Sequence, residues 1–137
     1  MSNTLDSALL ETMAIFEQRT HAKVNDVVQD ENNLLFIVAE GEIGKAIGKG
    51  GSTLMRLREA FKPKNVEVIE DASDAKTMIE KTLRGAEIKN ISQEETKIAI
   101  SVSPETRGIA IGKGGSNIKK LKMAIKRKFG IDDTRIL

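Results

Sequence analysis

Gly44-Lys45-Ala46-Ile47-Gly48-Lys49-Gly50-Gly51-Ser52 occurs a second time, as Gly108-Ile109-Ala110-Ile111-Gly112-Lys113-Gly114-Gly115-Ser116. Eight of the nine positions are identical, and the two copies lie 64 residues apart in a chain of 137. Apolar and basic residues that follow the first copy also have counterparts after the second. Because internal repetition marks a fold built from repeated units, the sequence predicts two copies of one small fold.

The residues around the first copy predict a helix, two strands, a short helix, the glycine turn, a further helix and a strand. Apolar side chains at helical spacing predict a helix over 4–18. The strands are expected at 23–28 and 34–38, and the second is a continuous apolar run typical of a buried central strand. Pro63 is expected to end the helix after the turn, ahead of a strand at 66–69.

The second half repeats this order of elements, so the expected fold class is α+β with helices and sheet in two layers. The expected elements are a helix at 74–84 with Ser73 as its N-cap and Gly85 as its stop, strands at 86–91 and 97–102, a helix that ends at Gly130 and a strand at 134–137.

Charge is divided unevenly between the two halves. The whole chain has 22 basic and 20 acidic side chains, a net charge of +2. Residues 1–73 hold 8 basic and 12 acidic side chains, whereas residues 74–137 hold 14 basic and 8 acidic ones. Eight basic residues and no acidic one lie between Arg107 and Lys128. The second half therefore has the charge of a nucleic-acid-binding surface, although a solvated helix face would have it too.

The composition excludes several classes of site and protein. The chain has no cysteine and one histidine, so disulfides, thiol catalysis and multi-histidine metal sites are excluded. The paired carboxylates are expected at turns and helix starts, and no nucleophile–base pair is visible. We therefore predict no enzyme, no metal and no cofactor. The sequence lacks a signal peptide and any apolar run of about 18 residues, which predicts a cytoplasmic protein without membrane contact.

Three kinds of glycine motif bind phosphate groups, and only one matches the repeat. A P-loop requires GxxxxGK followed by serine or threonine, but glycine follows Lys49 and Lys113. A dinucleotide-binding GxGxxG requires a strand directly before it and a helix after it, and neither copy has that spacing. A GxxG turn between two helices matches Gly48–Gly51 and Gly112–Gly115.

The chemistry of such a turn suits a sugar-phosphate backbone. Glycine adopts a positive φ without steric cost, and the missing side chain lets a ligand approach the main chain. The N–H groups of the turn and of the following helix attract phosphate oxygens. Lys49 and Lys113 add a cation to each turn, where the fold has no need of one. Helix-ending glycines alone would not explain two lysine-bearing copies in matching contexts.

At these residues the chain resembles the KH family of RNA-binding domains. The family pattern, apolar-Ile-Gly-x-x-Gly-x-x-apolar, is met by 46–54 and by 110–118. The resemblance implies two tandem type II KH domains, at 1–72 and 73–137, each a three-stranded mixed sheet covered by three helices. A chain that consists of the KH pair alone is similar to the short archaeal transcription elongation and termination factors of this family.

The resemblance implies that the chain binds a nascent single-stranded RNA to modulate transcription elongation or termination. We expect the chain to be a monomer. The alternative is a KH protein of ribosome assembly or RNA processing that binds structured RNA. RNA polymerase and ribosomal components stay open as further partners. The expected RNA-binding residues are Gly44, Ile47, Gly48, Lys49, Gly50, Gly51, Ser52 and Arg56 in the first copy, and Gly108, Ile111, Gly112, Lys113, Gly114, Gly115, Ser116, Lys119 and Lys120 in the second.

Two pairs of these residues have alternative roles. Gly44 and Gly108 would leave space for a base or sugar, or would serve close helix packing. Ile47 and Ile111 would line the groove, and are also expected to anchor the helices in the core. The basic helix after the second turn predicts that the second copy supplies more electrostatic affinity, and the first copy more selectivity.

Overall fold

The first half of the chain folds in the predicted order of elements. The computed structural model describes residues 7–137, and residues 4–6 of the expected first helix lie outside that range. The elements are α1 (Ser7–Thr20), β1 (Val24–Gln29), β2 (Asn33–Val38), α2 (Ile43–Ile47), α3 (Ser52–Ala60) and β3 (Asn65–Glu70). Strand β2 is central, antiparallel to β1 and parallel to β3, so the sheet is mixed.

The second half has the same order and the same strand directions. Its elements are α4 (Ala75–Thr82), β4 (Ile88–Glu94), β5 (Lys97–Val102), α5 (Arg107–Ile111), α6 (Ser116–Phe129) and β6 (Asp133–Ile136). Strand β5 is central, antiparallel to β4 and parallel to β6. The expected α+β fold with two three-stranded mixed sheets is confirmed.

The chain divides into two compact units, the first ending at Asp71 and the second beginning at Ala72. The assignment of 1–72 and 73–137 to two type II KH domains stays a prediction. Among residues 7–137, no helix combines the length and the apolar character that crossing a membrane requires.

The core of the first unit forms where the central strand meets two helices. All five apolar residues of β2, from Leu34 to Val38, are buried, as the continuous apolar run predicted. The rings of Phe16 and Phe36 stack with their centroids 4.2 Å apart. Leu57 is fully buried against the same cluster, so α1 and α3 are fixed to one face of the sheet.

In the second unit, the alternating pattern of β5 determines which side chains are buried. Ile98, Ile100 and Val102 are buried, while Ala99 and Ser101 between them are partly exposed. Leu121, Ala124 and Ile125 of α6 are fully buried. Their spacing of three and four residues gives the helix one apolar face.

Both ends of α4 and both ends of β4 differ from the prediction. Asp74, not Ser73, is the N-cap of α4, because its Oδ1 accepts the N–H of Thr77 at 2.8 Å. The helix ends at Thr82, before Gly85. Strand β4 begins at Ile88 rather than 86 and continues to Glu94 rather than 91, because it pairs with the whole length of β5.

Candidate nucleic-acid interface

The two glycine turns have the same backbone conformation. The first turn glycines, Gly48 and Gly112, have φ/ψ of 77°/170° and 81°/166°. The next, Gly50 and Gly114, have 62°/21° and 62°/20°. Each turn joins the short helix before it, α2 or α5, to the long helix after it. The repeat in the sequence is therefore a repeat in three dimensions.

The first glycine of each turn is required for two reasons: its φ is positive, and there is no space for a Cβ. A Cβ added to Gly48 would lie 2.8 Å from the backbone nitrogen of Thr53. A Cβ added to Gly112 would lie 2.8 Å from the backbone nitrogen of Asn117. Around Gly50 and Gly114, by contrast, an added Cβ would meet nothing within 4 Å. The turn thus needs glycine at its first position and leaves open space at its third.

Hydrogen bonds close each turn and leave the next helix without a side-chain cap. The N–H of Gly51 donates to the carbonyl of Gly48 at 3.1 Å, and Gly115 donates to Gly112 at 3.0 Å. Gly51 and Gly115 are themselves the N-caps of α3 and α6, and neither helix start receives a side-chain hydrogen bond. The positive ends of these helices are therefore available to an anion.

Asn117 makes a contact that the sequence did not indicate. Its side-chain amide donates to the carbonyl of Ile109 at 2.9 Å, which joins the start of α6 to α5. Thr53 holds the equivalent position in the first unit. Because threonine and asparagine differ in chemistry, comparing the two copies in the sequence did not indicate this contact.

Ile47 does not anchor its helix in the core, which corrects one expectation. Its side chain is 38% exposed, whereas the neighbouring Ala46 is fully buried. Ala110 is the buried residue of α5, and Ile111 is half-buried. In α2, Ala46 is buried and Ile43 packs against the core from the first turn of the helix. Ile47, at the end of the helix, is left accessible beside the glycine turn, as Ile111 is in part.

Gly44 and Gly108 face open space. Both are exposed, and an added Cβ would meet nothing within 4 Å at either position. Close packing of helices therefore does not explain these glycines. An absent side chain in open space is instead what a ligand lying along α2 or α5 would require.

The predicted cations lie around the turns. Lys49, Lys113, Arg56 and Lys119 are exposed, and Lys120 is half-buried. Every other predicted site residue is exposed or half-buried as well. Each set is brought together within its own unit: one around the first turn, the other around the second.

Arg58 illustrates a cation that the fold itself uses. Its Nε donates to the carbonyl of Val66 at 3.2 Å, and its Nη2 lies 3.2 Å from a carboxylate oxygen of Glu67. Arg58 therefore ties α3 to β3. Arg56, two residues earlier, is exposed at the same helix.

Glu42 precedes α2 with a carboxylate where Thr106 precedes α5 with a neutral hydroxyl. The Oε1 of Glu42 accepts the N–H of Lys23 at 2.9 Å, and its Oε2 lies 3.2 Å from Nζ of Lys45. The hydrogen bond from the backbone N–H of Lys23, followed by the one from the side chain of Lys45, lowers the pKa of Glu42. At the corresponding place, Oγ1 of Thr106 accepts the N–H of Glu87 at 2.9 Å. The same backbone contact thus carries a negative charge in one unit only.

Within residues 7–137, no three His, Asp or Glu side chains converge on a possible metal position. What each turn presents is main-chain N–H groups, lysine, open glycines and an accessible isoleucine. This combination suits a ligand with both phosphate and apolar parts.

Comparison with known proteins places the chain in a family. Residues 75–136 match the family model of a NusA-like second KH domain. A protein of Halobacterium salinarum named "Probable transcription termination protein NusA" is 34% identical, with 99% of each chain covered. A protein of Halococcus morrhuae with the same name is 31% identical at the same coverage.

A solved structure gives the same result in three dimensions. The structure described as "Crystal structure of APE1850" has a TM-score of 0.78 and 34% sequence identity, and the match covers 97% of this chain and 100% of that one. The alignments span both units and both glycine turns. The chain therefore belongs to the family of NusA-like KH proteins named as transcription termination proteins in archaea.

Proposed function

We propose that this chain binds single-stranded RNA through its two GKGG turns and thereby modulates transcription elongation or termination. The observation that carries the proposal is the pair of turns, identical in backbone conformation, each with an exposed lysine ahead of a helix start that lacks a side-chain cap. Relatives of nearly the same length are named transcription termination proteins. A nascent transcript is the single-stranded RNA that such a protein meets.

In the proposed complex, each turn holds the RNA backbone rather than a base. Phosphate oxygens accept hydrogen bonds from main-chain N–H groups of the turn and pair with Lys49 or Lys113. The open space at Gly44 and Gly108 admits a sugar or base. KH domains hold about four nucleotides in this way. Among residues 7–137, Phe16 and Phe36 are buried and Phe61 and Phe129 are half-buried, so none of these rings is an exposed platform for stacking.

Both units take part in the proposal as type II KH domains, at 1–72 and 73–137. The shared element order, the parallel pair in each mixed sheet and the matching turns support the assignment of the first unit alongside the second. Two sites in one chain raise affinity through effective concentration, so the proposal requires only a monomer.

The experiment that tests the proposal alters residues of the turns that the fold does not need. Lys49→Asp/Gly50→Asp alters the first turn, and Lys113→Asp/Gly114→Asp alters the second. Aspartate is among the residues that tolerate the positive φ of Gly50 and Gly114, and space for its Cβ is free. Anisotropy with a labelled single-stranded RNA pool should show weaker binding for each double variant and loss for the combination.

Circular dichroism keeps this experiment interpretable, because it confirms that each variant is folded. Unchanged RNA affinity in a folded variant with both turns altered would refute the proposal. A preference for duplex or folded RNA over single strands would instead support the alternative role in ribosome assembly or RNA processing.

A further inference from the structure

The two turns differ at the exposed position that follows each by four residues. Position 55 is methionine, and its counterpart at 119 is lysine. Met55 is 63% exposed, and Lys119 is exposed as well. A methionine side chain with this exposure does not contribute to the core of the first unit.

The geometry of the helices puts this position over the turn. Side chains on a helix lean toward its N-terminus, and residues four apart lie on one face. Gly51 and Gly115 are the N-caps, four residues before Met55 and Lys119. The ε-carbon of Lys119 indeed lies 3.9 Å from where a Cβ of Gly115 would be. Its ammonium group is thus one bond further, beside the second turn.

The first turn lacks this cation although its backbone is the same. Met55 occupies the equivalent helix position, with its side chain more than 4 Å from where a Cβ of Gly51 would be. Ile47, 38% exposed, precedes the turn. Glu42, held by the N–H of Lys23, lies 3.2 Å from Nζ of Lys45, so this ion pair adds no net charge to the first unit.

On the helices before the turns the chemistry is reversed, with exposed Lys45 in α2 and Ile109, 55% exposed, in α5. The contrast between an apolar side chain after the first turn and a lysine after the second therefore lies at positions 55 and 119.

We propose that residues 55 and 119 determine how each turn divides its affinity between base and phosphate. Lys119 binds a phosphate in the second turn. Met55 offers the first turn a polarisable apolar contact to a base face, so that affinity at the first turn depends on the base through the area of that face. This inference rests on the proposed binding of RNA by the turns and assigns each turn its own kind of contact.

The test exchanges the two side chains in chains that keep one working turn. Gly114→Asp disables the second turn, and Met55→Lys is then added. Gly50→Asp disables the first turn, and Lys119→Met is then added. RNA affinity is measured against salt concentration with single-stranded homopolymers of each base. Each phosphate contact contributes about 0.7 to the slope of log affinity against log salt.

Met55→Lys should steepen that slope by about 0.7 and reduce the differences in affinity among the homopolymers. Lys119→Met should flatten the slope by a similar amount and increase those differences.

Matched controls move the same charge change away from the turn. Lys126→Met removes a lysine from α6, and Lys126 lies about 10 Å further along the helix axis than Lys119. Ala60→Lys adds a lysine at the far end of α3. Because the Debye length is about 8 Å at physiological salt, both controls should change the slope far less than the exchanges.

The outcomes separate this inference from the proposed function. One outcome is that the exchanges leave the salt slope and the base preference unchanged in chains that still bind RNA through the remaining turn. That result would overturn the roles assigned to Met55 and Lys119, but not the proposed function. Equal effects of Lys119→Met and Lys126→Met would overturn it too. Absence of RNA binding by the unaltered chain would overturn the proposed function and this inference together.

Discussion

At the scale of single residues, glycines with different roles stand a few positions apart. Gly48 has a positive φ with ψ near 180°, a region that other residues essentially do not adopt. Gly44 has no such constraint and faces open space. One glycine is needed to form the turn, and the other to leave room beside it.

This difference predicts opposite effects of alanine at the two positions. Gly48→Ala should lower the free energy of unfolding by about 1–3 kcal/mol, through backbone strain and the clash with Thr53. Gly44→Ala should leave stability unchanged or raise it, since alanine favours the helix. Denaturant unfolding of both variants measures the contrast, and an equal loss in both would contradict this account of the turn.

A second residue-scale prediction concerns a buried hydroxyl. Thr134, 1% exposed, has no hydrogen-bond partner for its Oγ1. Replacing a buried unsatisfied polar group by an apolar one of the same shape removes a desolvation cost. Thr134→Val should therefore raise the free energy of unfolding by about 1 kcal/mol.

Thr20 is the matched control for this substitution. It is also buried, but its Oγ1 donates to the carbonyl of Phe16 at 2.9 Å and accepts the N–H of Ala22 at 3.0 Å. Thr20→Val should lower stability. If thermal unfolding showed the same change for both valine variants, the hydroxyl of Thr134 would not be the cause.

At the scale of elements, the start of α4 links stability to pH. The hydrogen bond from the N–H of Thr77 is the largest cause that lowers the pKa of Asp74. The unfolded chain then binds a proton more readily than the folded one, so this contribution to stability is present above the usual pKa of 3.8 and disappears as the pH falls below it.

Asp74→Ala should therefore lower stability at neutral pH more than at acidic pH. Asp74→Asn keeps a good N-cap and should remove the dependence on pH while retaining most of the stability. Ser73→Ala should have little effect. Unfolding curves at several pH values test all three, and a larger loss from Ser73→Ala would restore Ser73 as the cap.

Most elements could be predicted because their signals are local. The apolar run of β2 and the spacing of Leu121 and Ile125 depend on periodicity alone, and the structure follows them. The end of β4 could not be predicted, because it depends on pairing with β5 rather than on its own residues. The exposure of Ile47 also escaped prediction, since it depends on how short α2 is.

The candidate interface was predictable to a similar extent and for similar reasons. The repeat made Gly48–Gly51 and Gly112–Gly115 visible without a structure. The hydrogen bonds of Asn117 and Glu42 were not visible, because their partners lie 8 and 19 residues away in the chain.

At the scale of the whole molecule, the two units carry opposite net charge. Residues 1–73 have an excess of acidic side chains, and residues 74–137 an excess of basic ones. Since phosphate contacts dominate affinity for nucleic acids, the second unit should supply most of the electrostatic part of RNA binding.

Charge removal at the two turns should therefore have unequal effects. Neutralising Lys113, Lys119 and Lys120 together should weaken RNA binding more, and flatten its salt dependence more, than neutralising Lys49 and Arg56 together with Arg58. A parallel variant neutralises only Lys49 and Arg56 and keeps Arg58. Comparing it with the triple variant separates the loss of the contact between Arg58 and Glu67 from the loss of any contact between Arg58 and RNA. Equal losses of affinity from the two triple variants would contradict the division.

The most direct measurement of the central claim is an NMR titration of the isotopically labelled full chain with single-stranded RNA. Binding at both turns predicts that the largest amide shift changes fall at 44–52 and 108–116 and at the starts of α3 and α6. Larger changes elsewhere, for example on the exposed residues of β4, with both turns unaffected, would contradict the claim that these turns are the RNA-binding site.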